Sequence, residues 1–542
     1  MSRSREVHRP MQTLHRSRFP VPFLVLLLAY ALYAIAFIVR TSFVLDGERY
    51  FSLFDDAMIS MRYARNLAHG YGLVWNPHGE RVEGYTNPLW VLYMSLVHLL
   101  PLAQSKVSLG IQVSNAVFLA LNLVFVKKIA EFVARGAGTV SLGAVALTAF
   151  YLPLNTWSLQ GMEVGILTLL VSVALWGALR CLATGAFSPW IYLLLGVGTL
   201  VRPDMAVVYG ALGVFLAAMD RKNRQRHLLA GALILACFML LQTALRLWYY
   251  GDILPNTYYL KMTGYPIALR IARGAYAALH FLGNMGLILL FLIPGTLHLR
   301  RNRALALLFW MVLVQIAYSI YVGGDAWEWT KGSNRYIALV MPSFFLLVAY
   351  ALWQFHQLVR AALLPGREQH LLTRLHARYG VIVLFLFSFI SSNQLYHLDA
   401  FARITLIEPP LYTRENETMV RMALALREMT TEEATIAVVW AGIIPYFSDR
   451  FAIDMLGKND KVVAREPARR PEGVHPLLAF YPGHNKWKYS YSIGELRPDI
   501  IAQSWGAREE LQPYLDTAYR QEMLRTGATV YVRKDSRNVV GE

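Results

Sequence analysis

The sequence predicts a polytopic α-helical membrane domain of about eleven to thirteen spans, followed by a C-terminal soluble α/β domain. Three observations predict it. Hydrophobic residues fill 56% of the 542 positions and charged residues only 16%, where a soluble chain carries about a quarter charged residues. Apolar stretches near the length that crosses a bilayer, about 20 residues, recur from residue 19 to residue 392. Beyond 393 they stop, and short β-rich runs alternate with helical ones. This composition excludes a cytosolic enzyme and a disordered chain. The net charge of +17 belongs first to cytoplasmic loops, so no nucleic-acid partner is expected. Cys181 and Cys237 lie in apolar runs and make neither a disulfide framework nor a metal site.

Residues 1–18 form a basic cytoplasmic tail carrying Arg3, Arg5, Arg9, Arg16 and Arg18. Phe19 to Val39 is a retained first span: it exceeds the apolar region of a signal peptide, and no small-residue cleavage site follows it. Further candidate spans are 88–103, 109–126, 138–154, 162–182, 187–201, 205–219, 228–247, 276–297, 304–322, 336–354 and 379–392. Basic clusters mark the inner loops: Arg221, Lys222, Arg224 and Arg226; Arg300, Arg301 and Arg303; Arg360, Arg367, Arg374 and Arg378. They put 248–275, 323–335 and everything after about 393 on the outer side. An inside N-terminus and an outside C-terminal region need an odd number of crossings. The segment 88–103 is short, ends at Pro101, and is expected to be interfacial or re-entrant, which gives eleven crossings and puts Lys127, Lys128 and Arg135 inside. A missed helix gives thirteen. The membrane domain is thus 19–392, with a first outer loop at 41–87, and the outer domain is 393–542. In that domain Thr435–Trp440 and Ala528–Arg533 read as strands, and 418–430 and 507–526 as helices.

Ionisable groups that packing does not require mark function in a membrane protein, and here they gather on the outer side. Asp55 and Asp56 precede Met58, Met61, Ala64 and Leu67 at helical spacing. One acid at a helix start is a cap. Two adjacent carboxylates raise at least one pKa or need a cation, which suits a general base or a divalent ion (Mg, Mn or Ca) with oxygen ligands. Glu80, Arg81, Glu83, Tyr85 and Asn87 read as a sugar-binding rim, or as surface ion pairs and interfacial anchors. Glu163 begins a span, where an acid also suits the helix dipole. Arg202-Pro-Asp204 interrupts an apolar stretch and pairs at a helix break or meets substrate. Lys261 snorkels or holds a phosphate. Gly323-Gly324 precede Asp325, with Trp327 and Trp329 as belt aromatics, and Arg335 opens a span.

Taken together, these residues resemble the class-C (GT-C) glycosyltransferases, polytopic enzymes that use polyprenyl-phosphate sugars. The similarity is nearest to the bacterial terminal arabinofuranosyltransferase-like branch. Its carriers are Asp55-Asp56 with Arg62, Arg65-Asn66 and Gly70; Gly79 to Asn87; Gly161-Met-Glu163; Arg202-Pro-Asp204; Gly251-Asp252; Pro255-Asn256-Thr-Tyr258-Tyr259 with Lys261; and Gly323-Gly-Asp325 with Arg335. In the soluble part they are Ala441-Gly442, Ile444-Pro-Tyr446, Ile453-Asp-Met-Leu-Gly457 before Asn459-Asp460, Pro482-Gly-His484 and Pro498-Asp499.

The resemblance implies an inverting transfer, with arabinofuranose as the sugar, in a bacterial inner membrane, with the site and C-terminal domain facing the periplasm or exterior. Asp55 and Asp56 are then the catalytic pair. Lys261, Arg335 and Arg202 bind the donor phosphate. Glu80, Arg81, Glu83, Tyr85, Asn87, Glu163, Asp252, Asn256, Tyr258, Tyr259, Asp325 and Trp327 bind substrate. The expected partners are the polyprenyl-phosphate donor, membrane lipid, and an extracytoplasmic glycan, lipid-glycan or protein acceptor.

Two other classes compete. A lipid-linked-glycan transporter would carry ionisable groups in mid-span and inverted repeats; here the ionisable groups lie mainly in loops and at span ends on one face, and no repeat is found. A non-catalytic glycan-binding scaffold would keep its function without both aspartates. His69, His78 and His484 lack tight metal-ligand spacing, and His484 to Trp487 read as a surface turn after Pro482-Gly483.

Overall fold

A computed structural model describes residues 20–540, apart from 135, 297–298, 300–301, 329–332, 364–370, 471–474 and 476–478. The basic tail, Arg135, Arg300, Arg301, Trp329 and Arg367 lie outside the described residues. Among the described residues five helices are long and apolar enough to cross a membrane: Val21–Arg40, Gln104–Val133, Val164–Thr184, Arg221–Tyr250 and Arg303–Val322. Two bent pairs bring the number to seven: Gly138–Ala149 with Leu152–Leu159 (52°), and Tyr379–Asn393 with Leu398–Ile404 (100°). The first bend falls where Pro153 starts a helix, a position that loses no internal hydrogen bond to proline.

Three apolar helices are shorter. Pro88–His98 has 11 residues, a rise of about 16 Å against the ~30 Å of a bilayer core. It packs beside Asp55–Ala68. Trp190–Val201 and Met205–Met219 are separated by Arg202-Pro203-Asp204; proline removes a backbone donor and breaks the helix there. Helix Arg224–Tyr250 is 27 residues long, about 40 Å. Its basic start and its end, beside the site described below, therefore lie at opposite ends of the bundle. Its outer face exposes Leu229, Leu233, Leu240 and Trp248, the surface that lipid would cover.

Strands β1 (Phe43–Leu45) and β2 (Glu48–Tyr50) form an antiparallel hairpin after the first span. Asp46 and Gly47 both take positive φ, the twist that a two-residue hairpin turn needs. The C-terminal domain is a five-stranded mixed sheet of β3 (Thr435–Val438), β4 (Phe451–Asp454), β5 (Ile500–Ile501), β6 (Tyr519–Met523) and β7 (Thr529–Arg533). The strand order is β4-β3-β5-β7-β6. β3 runs parallel to β4 and β5, while β7 runs antiparallel to β5 and β6. Helix Ile443–Ser448 makes the crossover from β3 to β4. The expected helix over 507–526 is shorter than its sequence suggests. It spans Arg508–Ala518, and Tyr519-Arg-Gln-Glu-Met523 forms the edge strand β6, because pairing with β7 outweighs its helix-compatible composition.

Helix Asp55–Ala68 sits between the two domains. It packs on Pro88–His98 and on Ile443–Ser448, so its polar side is as buried as its apolar one. Arg62 is 1% exposed. Its guanidinium donates to the carbonyls of Trp75 (2.5 Å), Arg450 (2.8 Å) and Pro445, and to Asn76 Oδ1 (2.8 Å). Arg65 donates to the Tyr446 carbonyl (2.9 Å) and pairs with Asp449 (2.6 Å). Such a cation is tolerated in a core only when its donors are satisfied, and here the C-terminal domain supplies most of the acceptors.

Candidate active site

Helix Asp55–Ala68 begins with its two acids in the first turn, where a negative charge suits the dipole. Adjacent positions on a helix point about 100° apart, and the two carboxylates have different partners. Asp55, 6% exposed, accepts from the backbone N–H of Ile443 (2.8 Å) and of Gly442 (3.2 and 3.3 Å). It thus caps a helix of the C-terminal domain. A side chain at Gly442 would place its Cβ 2.0 Å from the Asp55 carbonyl oxygen, so only glycine permits this approach. Asp56 faces the other way, into a cavity of about 430 Å³. One of its oxygens meets the Lys458 ammonium, and the other meets Arg335 Nη1 at 3.2 Å.

Lys261, Arg335, Lys458 and Arg202 line this cavity with Asp56, Glu163 and Asp204. Arg335 also pairs with buried Asp325 (Nη2 to Oδ1, 3.0 Å). Arg202 is held by Glu163 (3.1 Å) and Asp204 (2.7 Å). Asn87 lines the wall, donating to Glu163 (3.1 Å) and accepting from Ser60 (3.0 Å). Lys261 is different: among the described residues no carboxylate lies within 4 Å of its ammonium. Its stem runs past Gly483 of the C-terminal domain, where a Cβ would stand 3.1 Å from Lys261 Cε and φ is +81°. Met239, Leu254 and Met262 make the apolar side of the cavity.

Electrostatics separate these groups. Burial raises the Asp55 carboxyl to about 7, with the Asp56 charge adding to the rise and the Ile443 and Gly442 amides opposing it. Burial also pushes Asp56 up, but Lys458, Arg335 and Lys261 outweigh it and hold that carboxyl well below the usual range. Desolvation, with Arg335 and Lys458 nearby, lowers Lys261 to about 7. Burial lowers the half-buried His484 imidazole to about 4, and Lys458 reinforces this. Its Nδ1 lies 3.0 Å from the Pro482 carbonyl. A carbonyl only accepts, so Nδ1 carries the proton and Nε2 the lone pair.

The remaining residues singled out in the sequence scatter around the cavity. Tyr85 lines it and hydrogen-bonds Tyr250 (2.8 Å). Tyr258 lies at its edge. Glu83 pairs with Arg246, a cavity residue the sequence reading missed, and burial raises the Glu83 carboxyl to about 7. Glu80, with its side chain 63% exposed, meets Lys461 (3.0 Å). Arg81 stacks on Tyr249 (4.7 Å). Asp252 pairs with Arg465 (2.9 Å), and Tyr259 lies under that guanidinium (4.3 Å). Asn256 binds the backbone carbonyls of Gly457 (2.9 Å) and Lys458 (3.0 Å). None of these last groups lines the cavity, and all but Arg81 join the two domains. Trp327 belongs to an aromatic cluster with Phe54 (5.0 Å), Trp440 (5.1 Å) and His484 (5.9 Å).

The surface turn expected at His484 to Trp487 is an interior segment. Asn485, Lys486 and Trp487 are buried, and Lys486 donates to the carbonyls of Tyr259 (2.9 Å) and Ala464 (2.8 Å). The sequence reading also passed over Lys458, although it stands between Gly457 and Asn459-Asp460, both of which it had singled out.

The divalent ion suggested by the acidic pair does not fit these donors. Such an ion takes about six oxygens. The Asp56 oxygens face two cations, Asp55 is occupied by backbone amides, and among the described residues no three His, Cys, Asp or Glu side chains gather.

The fold is that of the GT-C membrane glycosyltransferases, with a C-terminal sheet-containing domain. ArnT from Cupriavidus metallidurans bound to undecaprenyl phosphate is similar with a TM-score of 0.55 and 12% identity, over 96% of this chain and 99% of that one. The archaeal oligosaccharyltransferase AglB from Archaeoglobus fulgidus, in complex with an inhibitory peptide and a dolichol-phosphate, gives a TM-score of 0.52 and 13% identity over 95% and 74%. Residues 407–532 match a family described as a domain of unknown function (DUF8728). No curated protein matches the sequence.

Proposed function

We propose that the chain is an inverting membrane glycosyltransferase that moves a sugar from a polyprenyl-phosphate donor to an acceptor outside the cytoplasm. One observation carries this reading. Among the described residues Lys261 has no carboxylate within 4 Å, in a cavity where Arg335 and Lys458 pair with Asp56 and Arg202 with Glu163 and Asp204. An uncompensated cation in a desolvated site is costly unless an anion occupies it in the working state. A phosphate held between Lys261 and Arg335 supplies that anion, and the apolar wall beside it suits a prenyl tail. The lipid phosphates held by the ArnT and AglB structures support the same class of donor.

The chemistry follows from the positions. Asp56, the carboxylate of the pair that faces the cavity, accepts the proton of the acceptor hydroxyl late, as that oxygen bonds to carbon and turns acidic, because Lys458, Arg335 and Lys261 hold its own pKa low. That oxygen bonds to the anomeric carbon as the bond from this carbon to the phosphate oxygen breaks, its electron pair leaving on the phosphate. A single displacement inverts the configuration. Lys261 and Arg335 stabilise the leaving group. Arg202, whose charge is matched by Glu163 and Asp204, instead orders these acids and Asn87 as acceptors for sugar hydroxyls. Asp55 holds the C-terminal domain in place. The sugar is proposed as arabinofuranose on the resemblance of the sequence, and the acceptor as a cell-envelope glycan, lipid-glycan or protein.

The test is turnover by purified protein in nanodiscs with radiolabelled polyprenyl-phosphate arabinofuranose and a parallel hexose donor. Transfer or release of arabinose that Asp56→Asn abolishes supports the reading. Turnover of the hexose alone removes arabinose and keeps the class. Failure of the protein to bind polyprenyl phosphate overturns the reading.

A further inference from the structure

Lys458 comes from the loop after β4, in the domain of unknown function, yet its ammonium is the nearest cation to one Asp56 oxygen across 402 positions of sequence. The loop is held from both sides. Asp454 accepts from the backbone N–H of Leu456 (3.0 Å), Gly457 (3.1 Å) and Asn459 (2.7 Å). Asn459 also accepts from Tyr63 of the first outer loop (3.0 Å), and Asn256 grips the carbonyls of Gly457 and Lys458. A fixed loop spares the ordering cost of a flexible lysine. Its one projecting charge lines the donor cavity.

The charges around Asp56 then balance in a particular way. Three cations (Lys261, Arg335 and Lys458) act on Asp56, and Arg335 is shared with Asp325, so a phosphodiester entering beside them meets positive charge next to the base. In the transfer the phosphate gains a negative charge and Asp56 loses one by protonation. The total is unchanged, but its place shifts from the base to the leaving group.

Resting on the reading above, we propose that Lys458 is a catalytic cation shared between Asp56 and the departing phosphate, so that the C-terminal domain completes the donor site. Before transfer its ammonium pairs with Asp56. As the proton reaches Asp56 and the bond to phosphate breaks, the ammonium turns to the phosphate oxygen that carries the released electron pair. The domain is therefore part of the catalytic centre.

The experiment compares wild type, Lys458→Gln and Lys458→Arg in nanodiscs. It reads kcat and KM for the polyprenyl-phosphate sugar and the Kd of polyprenyl phosphate, the more highly charged product. Lys458→Gln is expected to lower kcat about 100-fold and weaken the product about 10-fold or more while changing donor KM only a few-fold, in keeping with one lost charge-assisted contact. Lys458→Arg should recover most of kcat. Hydrogen exchange at Gly442 and Ile443 checks domain docking: unchanged protection with lost kcat supports the proposal, whereas protection lost in parallel with kcat overturns it in favour of a structural role. Equal kcat and product Kd in Lys458→Gln and wild type also overturn it, leaving the glycosyltransferase reading intact. Wild type that does not bind polyprenyl phosphate sinks that reading first.

Discussion

Neighbouring carboxylates are easily assigned the same role, and replacing them one at a time separates Asp55 from Asp56. Asp55 accepts from two backbone amides of the C-terminal domain. A hydrogen bond to a charged group contributes about 1.5–3 kcal/mol and a neutral one about 0.5–1.5. Conversion to asparagine therefore weakens the two together by about 2–3 kcal/mol. Relief of a buried charge offsets part of this, since burial already raises Asp55 to about 7. Asp55→Asn should then keep turnover within about threefold and change docking stability by less than about 2 kcal/mol. Asp55→Ala leaves both amides without a partner, at about 1–3 kcal/mol each, and should expose them to hydrogen exchange. Asp56→Asn should do the reverse. Exchange at Gly442 and Ile443 stays slow, while turnover falls by the 10² to 10⁴ expected for a lost general base. Exchange mass spectrometry and donor turnover on the same nanodisc samples give both readouts. A hundredfold loss of turnover in Asp55→Asn with protected amides would refute the assignment and make Asp55 the base.

Lys261 gives the free enzyme a pH signature. Its pKa is lowered to about 7, so it is charged below that pH and neutral above it. The kcat/KM for the donor should therefore fall as pH rises through about 7, a limb that Lys261→Arg should remove. Lys261→Met should raise donor KM about 10- to 100-fold, the worth of one charge-assisted contact, measured by turnover at saturating acceptor. Turnover in EDTA should equal that in Mg or Mn, because the groups around Asp56 suit an anion. Gly483→Ala should raise donor KM several-fold: its φ of +81° disfavours a side chain, and the new Cβ meets Lys261 Cε at 3.1 Å.

Part of this was legible in the sequence, and the rest was not, for physical reasons. The helix beginning at Asp55 follows from apolar residues at helical spacing, and the break at Arg202-Pro-Asp204 follows from proline. That Lys261 and Arg335 share one site was expected from the family resemblance, while the residues alone left snorkelling open for both, and both line one cavity. Which aspartate faces the cavity was not legible, because adjacent helical residues differ only by a rotation about the axis, and the docked C-terminal domain decides which way is inward. Lys458 was hidden for a related reason. Its partner is 402 residues away, and a lone lysine in a turn looks like any solvated charge. Strand β6 was misread because Tyr519 to Met523 is polar on an exposed edge and declares itself only by pairing with β7. Glu80 and Arg81 looked like part of a sugar rim by composition, yet Glu80 pairs across the domain junction with Lys461 and Arg81 stacks on Tyr249.

The guanidinium of Arg62 reaches the carbonyl of Pro445 across 383 positions, and this has a consequence for biosynthesis. At about 5–20 residues per second, a ribosome takes about 20–80 s to make the chain between them. Throughout that interval Arg62 has only the Trp75 and Asn76 acceptors of its own loop, while the Pro445 and Arg450 carbonyls and the two amides that Asp55 binds do not yet exist. Activity can begin only when the last quarter of the chain has folded onto the first. On the proposed function, the site is completed once per molecule, at the end of synthesis, and a product shortened before Pro445 lacks the Lys458 ammonium that faces Asp56.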